Sequence, residues 1–146
     1  MGRRIGGLAA AVLVLDQATK WWMRRHLAVG ESVPLLPGVF HLTLVRNPGV
    51  AFGLFARQGV VVLGIAFLLV ALLLITARTR PAAWRPPVPW AMGLILGGAL
   101  GNLLDRVRFG AVVDFLDFRI WPVFNVADSG ITVGAALIVW AWWRGR

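Results

Sequence analysis

Cysteine is absent, which removes disulfides, thiol nucleophiles and thiolate metal sites from consideration. Histidine occurs twice, too few for most metal sites, and serine is scarce, so a Ser-His-Asp arrangement has little to be built from. Charge is thin as well. Only 14% of the 146 residues are charged, whereas a soluble domain is about a quarter charged, and there are six acids in the whole chain. A chain of this length that is 59% hydrophobic cannot hide all of that surface in one water-soluble core. Lipid is expected to cover part of it, and the expected class is one integral membrane domain.

The net charge of +9 comes from fourteen Arg and one Lys. A nucleic-acid partner would need these in a stripe. They fall instead in small groups at the ends of apolar segments: Arg3 and Arg4, Arg24 and Arg25, Arg78, Arg80 and Arg85, Arg106 and Arg108, Arg144 and Arg146. That is how cations anchor helix ends in a headgroup layer, and Trp21, Trp22, Trp84, Trp142 and Trp143 beside them suit the same interface. No nucleic-acid partner is expected. Arg3-Arg4 before an apolar run resembles a signal peptide, but Asp16-Gln17-Ala18-Thr19-Lys20 stands where small residues would mark cleavage, so the run reads as a retained first span.

Travelling from charge to charge gives four segments near the roughly 20 residues a helix needs to cross hydrocarbon: residues 5–23, 58–77, 87–104 and 125–143. The fold class is therefore an all-α membrane protein with four transmembrane helices. The two outer segments carry Asp16 with Lys20 and Asp128, each costing about 2.5–3.5 kcal/mol at mid-bilayer unless partnered or near an interface. An even number of spans puts both termini on one side. Seven Arg then fall on each side, so charge counting does not orient the chain. All six acids, Asp16, Glu31, Asp105, Asp114, Asp117 and Asp128, lie on or near the side opposite the termini. Residues 31–56 and 109–123 on that side read as β-rich. Phe40, Leu42 and Leu44 alternate there with His41, Thr43 and Val45, and Val112 to Phe118 is β-prone, which predicts a small sheet resting on the membrane.

The polar motifs each have a plain structural reading beside a functional one. Asp16 and Lys20, at i and i+4, can simply pair, or Asp16 can brace an element from a neighbouring span. Asn47-Pro48-Gly49 is turn chemistry leading toward a further strand, and Asn47 can also present its amide to a substrate backbone. Asn102 and Asp105 share a helix face; an acid near a helix C-terminus is unfavourable unless paired locally with Arg106 or Arg108. Of Asp114 and Asp117, one is expected to face water and the other to press against apolar surface, where desolvation raises its pKa. Asn125 and Asp128 have the spacing of a capping box at the start of the last span. Without a thiol, a metal set or a serine triad, two carboxylates sharing a proton are the remaining standard device for hydrolysis.

Asp16-Gln17-x-x-Lys20, Asn47-x-Gly49-x-Ala51-Phe52, Gly101-Asn102-Leu103-x-Asp105-Arg106, Val112-Val113-Asp114-Phe115 and Phe124-Asn125-x-Ala127-Asp128 resemble, in order, the motif series of the lipoprotein signal peptidases, the signal peptidase II family. The resemblance implies an aspartyl endopeptidase of the bacterial inner membrane, with both termini cytoplasmic and a β-rich cradle outside. Its substrates are prolipoproteins carrying diacylglycerol on a cysteine, cleaved just before that cysteine, and globomycin occupies the substrate's place. Carried over by motif, the catalytic pair is Asp114 and Asp128. Asn47, Gly49, Asn102, Asp105, Arg106 and Asn125 line or support the site, and Asp16 and Lys20 belong to the first-span motif. No metal or cofactor is needed, membrane lipid is a partner, and a monomer is expected. Glu31 and Asp117 are left as solvent-facing residues. Two rival readings are a proton-relay or channel subunit centred on Asp16 and Lys20, and a scaffold of capped helices without activity.

Overall fold

The computed structural model describes residues 2–49 and 86–144, with Leu68, Ile75 and Thr79 between them. Helix α1 (Gly2–His26) leads into a hairpin of β1 (Ser32–Leu36) and β2 (Phe40–Asn47). Helix α2 (Val88–Phe109), strand β3 (Val112–Asp117) and helix α3 (Val126–Arg144) complete the described elements. The expected span at 58–77 lies outside the described residues except for Leu68 and Ile75, both helical and exposed. The strand expected after Gly49 also lies outside them, as do Arg78, Arg80 and Arg85.

The described helices run past the expected spans. Helix α1 exceeds residues 5–23 at both ends, and α2 continues beyond residue 104 to Phe109. The charges that ended the segments on paper, Asp105, Arg106 and Arg108, are therefore inside the helix. The stop is conformational: Gly110, at φ 69°, takes the left-handed C-cap and donates its N–H to the Arg106 carbonyl at 3.0 Å. At the other end Pro89 lies in the first turn, where its missing N–H costs nothing. By length and composition, Val88–Phe109 is long and apolar enough to cross a membrane.

Helix α2 packs against both α1 and α3, and glycine makes that possible. A Cβ at Gly97 would lie 2.5 Å from the Ala9 carbonyl oxygen, and one at Gly101 would lie 2.5 Å from Asp16 Oδ2. On the facing helix, a Cβ at Gly134 would lie 2.6 Å from the Ala91 carbonyl oxygen. Helix backbones can approach this closely only where side chains are missing. The burial is inverted relative to a soluble protein. Val14, Leu15, Trp90, Val133 and Trp143 are exposed, while Asp16, Lys20, Asn102, Asp105 and Asn125 are buried.

The sheet has the order β1-β2-β3, antiparallel throughout. Its register departs from strict alternation. Leu42 pairs with Leu116 and Val45 with Asp114, so two residues of β2, Thr43 and Leu44, oppose the single Phe115. This bulge puts Leu42 and Val45 on one face, where the alternating pattern placed them on opposite faces. It also brings the end of β2, with Asn47, onto the face of Asp114. Leu44, Val113 and Phe115 close with Met23 of α1 into the apolar cluster that seats the sheet on the helices. Phe124 then clips onto the free edge of β3: its carbonyl accepts from Phe115 and Leu116, and its N–H donates to the Leu116 carbonyl. The next residue, Asn125, caps the start of α3 beside β3.

Candidate active site

Two carboxylates from different elements meet where β3 approaches the start of α3. Asp114 comes from the middle of β3. Its Oδ1 accepts from Asn125 Nδ2 at 2.7 Å and its Oδ2 from Asn47 Nδ2 at 3.1 Å. Asp128 comes from the first turn of α3. Its Oδ1 accepts from Asn102 Nδ2 at 2.8 Å and its Oδ2 from the Asn125 N–H at 3.2 Å. Asn125 Oδ1 in turn accepts the Asp128 N–H at 2.8 Å, so the expected capping box forms. The box ties the two acids together, because the same Asn125 side chain that caps the helix reaches Asp114.

The two acids are in unlike surroundings. Asp114 is 2% exposed, and burial pushes its carboxyl up to about 7, with the negative charge of Asp128 adding to the rise against the Asn47 and Asn125 hydrogen bonds. Asp128 lies in the first turn of α3, where the helix dipole favours a negative charge. It also forms part of the wall of an open groove of about 560 Å³, whose other walls are Phe118, Ile120, Trp121, Phe124 and Val133 with Ser129 and Thr132. Arg106 lies within electrostatic range of Asp128 and Asp114. Its guanidinium donates to the Asn102 and Gly49 carbonyls at 3.3 and 3.1 Å, which ties the loop after β2 to α2. Gly49 N–H donates to Asn47 Oδ1 at 3.1 Å, the expected turn, and this holds the Asn47 amide with its NH2 toward Asp114.

Behind this layer Asp16 and Lys20 form the i, i+4 pair at 2.8 Å, and Asp16 Oδ1 also accepts the Ala127 N–H of α3 at 2.9 Å. Both readings of Asp16 therefore hold at once. Asp105 corrects the sequence reading. Its partner is Lys20 of α1 at 2.8 Å, and it also accepts from the Val113 N–H at 3.1 Å, in place of the Arg106 or Arg108 pairing expected from neighbours in sequence. Asp117 is a second correction. It is buried at 4% exposure, so neither it nor Asp114 faces water. Thr43 Oγ1 donates to it at 2.7 Å, and Arg119 adds its N–H and an Nη1 contact at 2.9 Å. Burial alone would raise this carboxyl, but those donors and the Arg119 charge outweigh it and hold Asp117 below the usual range. Glu31 is exposed, as expected.

Gln17, a residue of the first-span motif to which the sequence assigns no role, bridges the Gly101 carbonyl at 3.3 Å and Asp105 Oδ1 at 3.0 Å through its Nε2. The groove walls at Phe118, Ile120 and Trp121 were likewise missed, because apolar residues in a largely apolar chain carry no local signal.

The model of the family described as "Signal peptidase (SPase) II" matches residues 8–144. Over 135 residues the chain is 47% identical to the lipoprotein signal peptidase of Pelotomaculum thermopropionicum, covering 92% of this chain and 88% of that protein. It is 48% identical over 133 residues to that of Moorella thermoacetica, covering 91% and 88%. Among solved structures, one described as a bacterial membrane enzyme solved by the in meso method at 2.3 Å resolution superposes with a TM-score of 0.86 at 32% identity, covering 94% of this chain and 85% of that one. With three described helices and a small sheet arranged like that enzyme, and with the family match running almost from end to end, the chain belongs to the signal peptidase II family.

Proposed function

We propose that Asp114 and Asp128 are the aspartyl pair of an endopeptidase that removes the signal peptide from diacylglyceryl-modified prolipoproteins, cutting just before the lipidated cysteine. The observation that carries this reading is the pairing itself: two carboxylates held by one residue, Asn125, whose side chain donates to Asp114 and whose backbone N–H donates to Asp128, one raised to about 7 and the other in a helix's first turn, at the wall of an apolar groove. At neutral pH such a pair holds one proton. Asp128, ionised, takes a proton from water as it attacks the scissile carbonyl, and Asp114 gives its proton to the carbonyl oxygen. The tetrahedral intermediate then collapses: Asp128 passes its proton to the departing amine of the cysteine, the C–N bond breaks, and the hydroxyl proton returns to Asp114. Neither metal nor cofactor takes part in this scheme.

The same reading makes the chain one domain with four spans, adding residues 58–77 to the described helices. Both termini are cytoplasmic, the sheet and the pair lie at the outer face of the inner membrane, and the working unit is a monomer. Globomycin binds in the substrate's place. The outer-face location follows from the substrate, since a bond next to its acyl chains is presented at the bilayer surface.

Cleavage of a lipidated precursor by Asp114→Asn and Asp128→Asn tests the assignment, with unlipidated precursor as a control. Each variant is expected to lose at least about a thousandfold in kcat while remaining folded and membrane-inserted, as loss of one member of a unit does. Retained cleavage in either would sink the aspartyl reading. A scaffold or proton-relay protein would show no accumulated precursor in these variants.

A further inference from the structure

Lys20 is 2% exposed and comes from a helix that contributes no group to the carboxylate pair, yet it is two hydrogen bonds from Asp128. An ammonium has three protons, and all three are assigned: Asp16 Oδ2 and Asp105 Oδ2 at 2.8 Å each, and Asn102 Oδ1 at 3.1 Å. Asn102 Oδ1 also accepts from Asn125 Nδ2 at 3.1 Å. The Asn102 carbonyl oxygen thus faces two donors, which leaves its NH2 to face Asp128 Oδ1 at 2.8 Å. The opposite amide orientation would set the NH2 against an ammonium and another NH2, and the carbonyl oxygen against a carboxylate. Charge complementarity therefore allows one orientation only.

We infer that Lys20 is a positioning residue for the pair: its ammonium fixes the Asn102 amide with the NH2 toward Asp128, which keeps that carboxylate an acceptor and leaves the shared proton on Asp114. This rests on the reading of Asp114 and Asp128 as the hydrolytic pair. Among the described residues, the charged groups around the pair are Lys20 and Asp16 on α1 and Asp105 and Arg106 on α2. Lys20 has a second task, neutralising Asp16 and Asp105, and any test must separate the two.

The double variant Lys20→Met, Asp105→Asn leaves the formal charge of the cluster unchanged and removes the donor to Asn102. Asn102→Ala removes the relay and leaves Lys20 with both carboxylates. In each, kcat on lipidated precursor is expected to fall about tenfold with KM within about twofold. Combined, the three substitutions are expected to do no more than Asn102→Ala alone, since residues acting through one contact are not additive.

A wild-type kcat in Asn102→Ala overturns the inference, whether or not the Lys20 variant folds. So do effects of the Lys20 and Asn102 changes that multiply when combined. Either result leaves the aspartyl assignment standing if Asp114→Asn and Asp128→Asn are inactive. Cleavage by those two variants would remove the aspartyl assignment itself, independently of the Lys20 data.

Discussion

At the residue scale, the difference between the two carboxylates lies in what surrounds them. Asp114 is enclosed between β2, β3 and Asn125, and its carboxyl is raised to about 7 by burial first and by the neighbouring charge second. As pH rises through that value the pair loses its one proton, and with it the group that polarises the scissile carbonyl. The alkaline limb of kcat/KM is therefore expected at a pH of about 7, measured on lipidated precursor at saturating detergent. The same shift has a stability consequence. A carboxyl raised above its unfolded value stabilises the fold at acid pH, and that contribution disappears as pH rises through about 7. Between pH of about 5 and 8 the melting temperature of the wild type should fall relative to that of Asp114→Asn, in which the titrating group is absent. Parallel melting curves would show that Asp114 titrates normally.

At the element scale, the three described helices depend on which of their faces lack side chains. Gly98 of α2 faces the Ala127 carbonyl and Ile131 of α3, whereas Gly6 of α1 has nothing within 4 Å of where a Cβ would be. Gly98→Leu must therefore push α3 away from α2, at a cost of about 1–3 kcal/mol or more for overpacking, and Asp128 moves with α3. A melting temperature lower by several degrees and a loss of cleavage are expected. Gly6→Leu is expected to change neither, and thermal unfolding of the two purified variants compares them directly. The reciprocal Asn125–Asp128 cap belongs to this scale too. It fixes the first turn of α3, so the position of Asp128 follows from where Phe124 joins β3. Local spacing alone made that cap legible. The β2 bulge was not legible, because a two-against-one pairing exists only once β3 lies alongside.

At the scale of the whole molecule, large apolar side chains of the described helices such as Val14, Leu15, Trp90 and Val133 point outward, while Asp16, Lys20 and Asp105 are buried between helices, which suits a lipid surround and a polar interior. Equal Arg counts on the two sides leave orientation to be measured. Reporter fusions that sense the cytoplasm should be active at the C-terminus and inactive at Gly38, in the hairpin between β1 and β2; the reverse pattern would overturn the proposed topology. By itself the sequence determined the membrane class, the small sheet, the helix cap and the short list of acids. These follow from composition, from periodicity and from partners three or four residues apart. Tertiary structure alone decided that Asp105 pairs with Lys20 across the bundle, that Asp114 and Asp117 are both buried, and which end of Asn102 meets Asp128. Such choices depend on helix faces brought together through glycine, and no local pattern states which distant donor a buried carboxylate will meet.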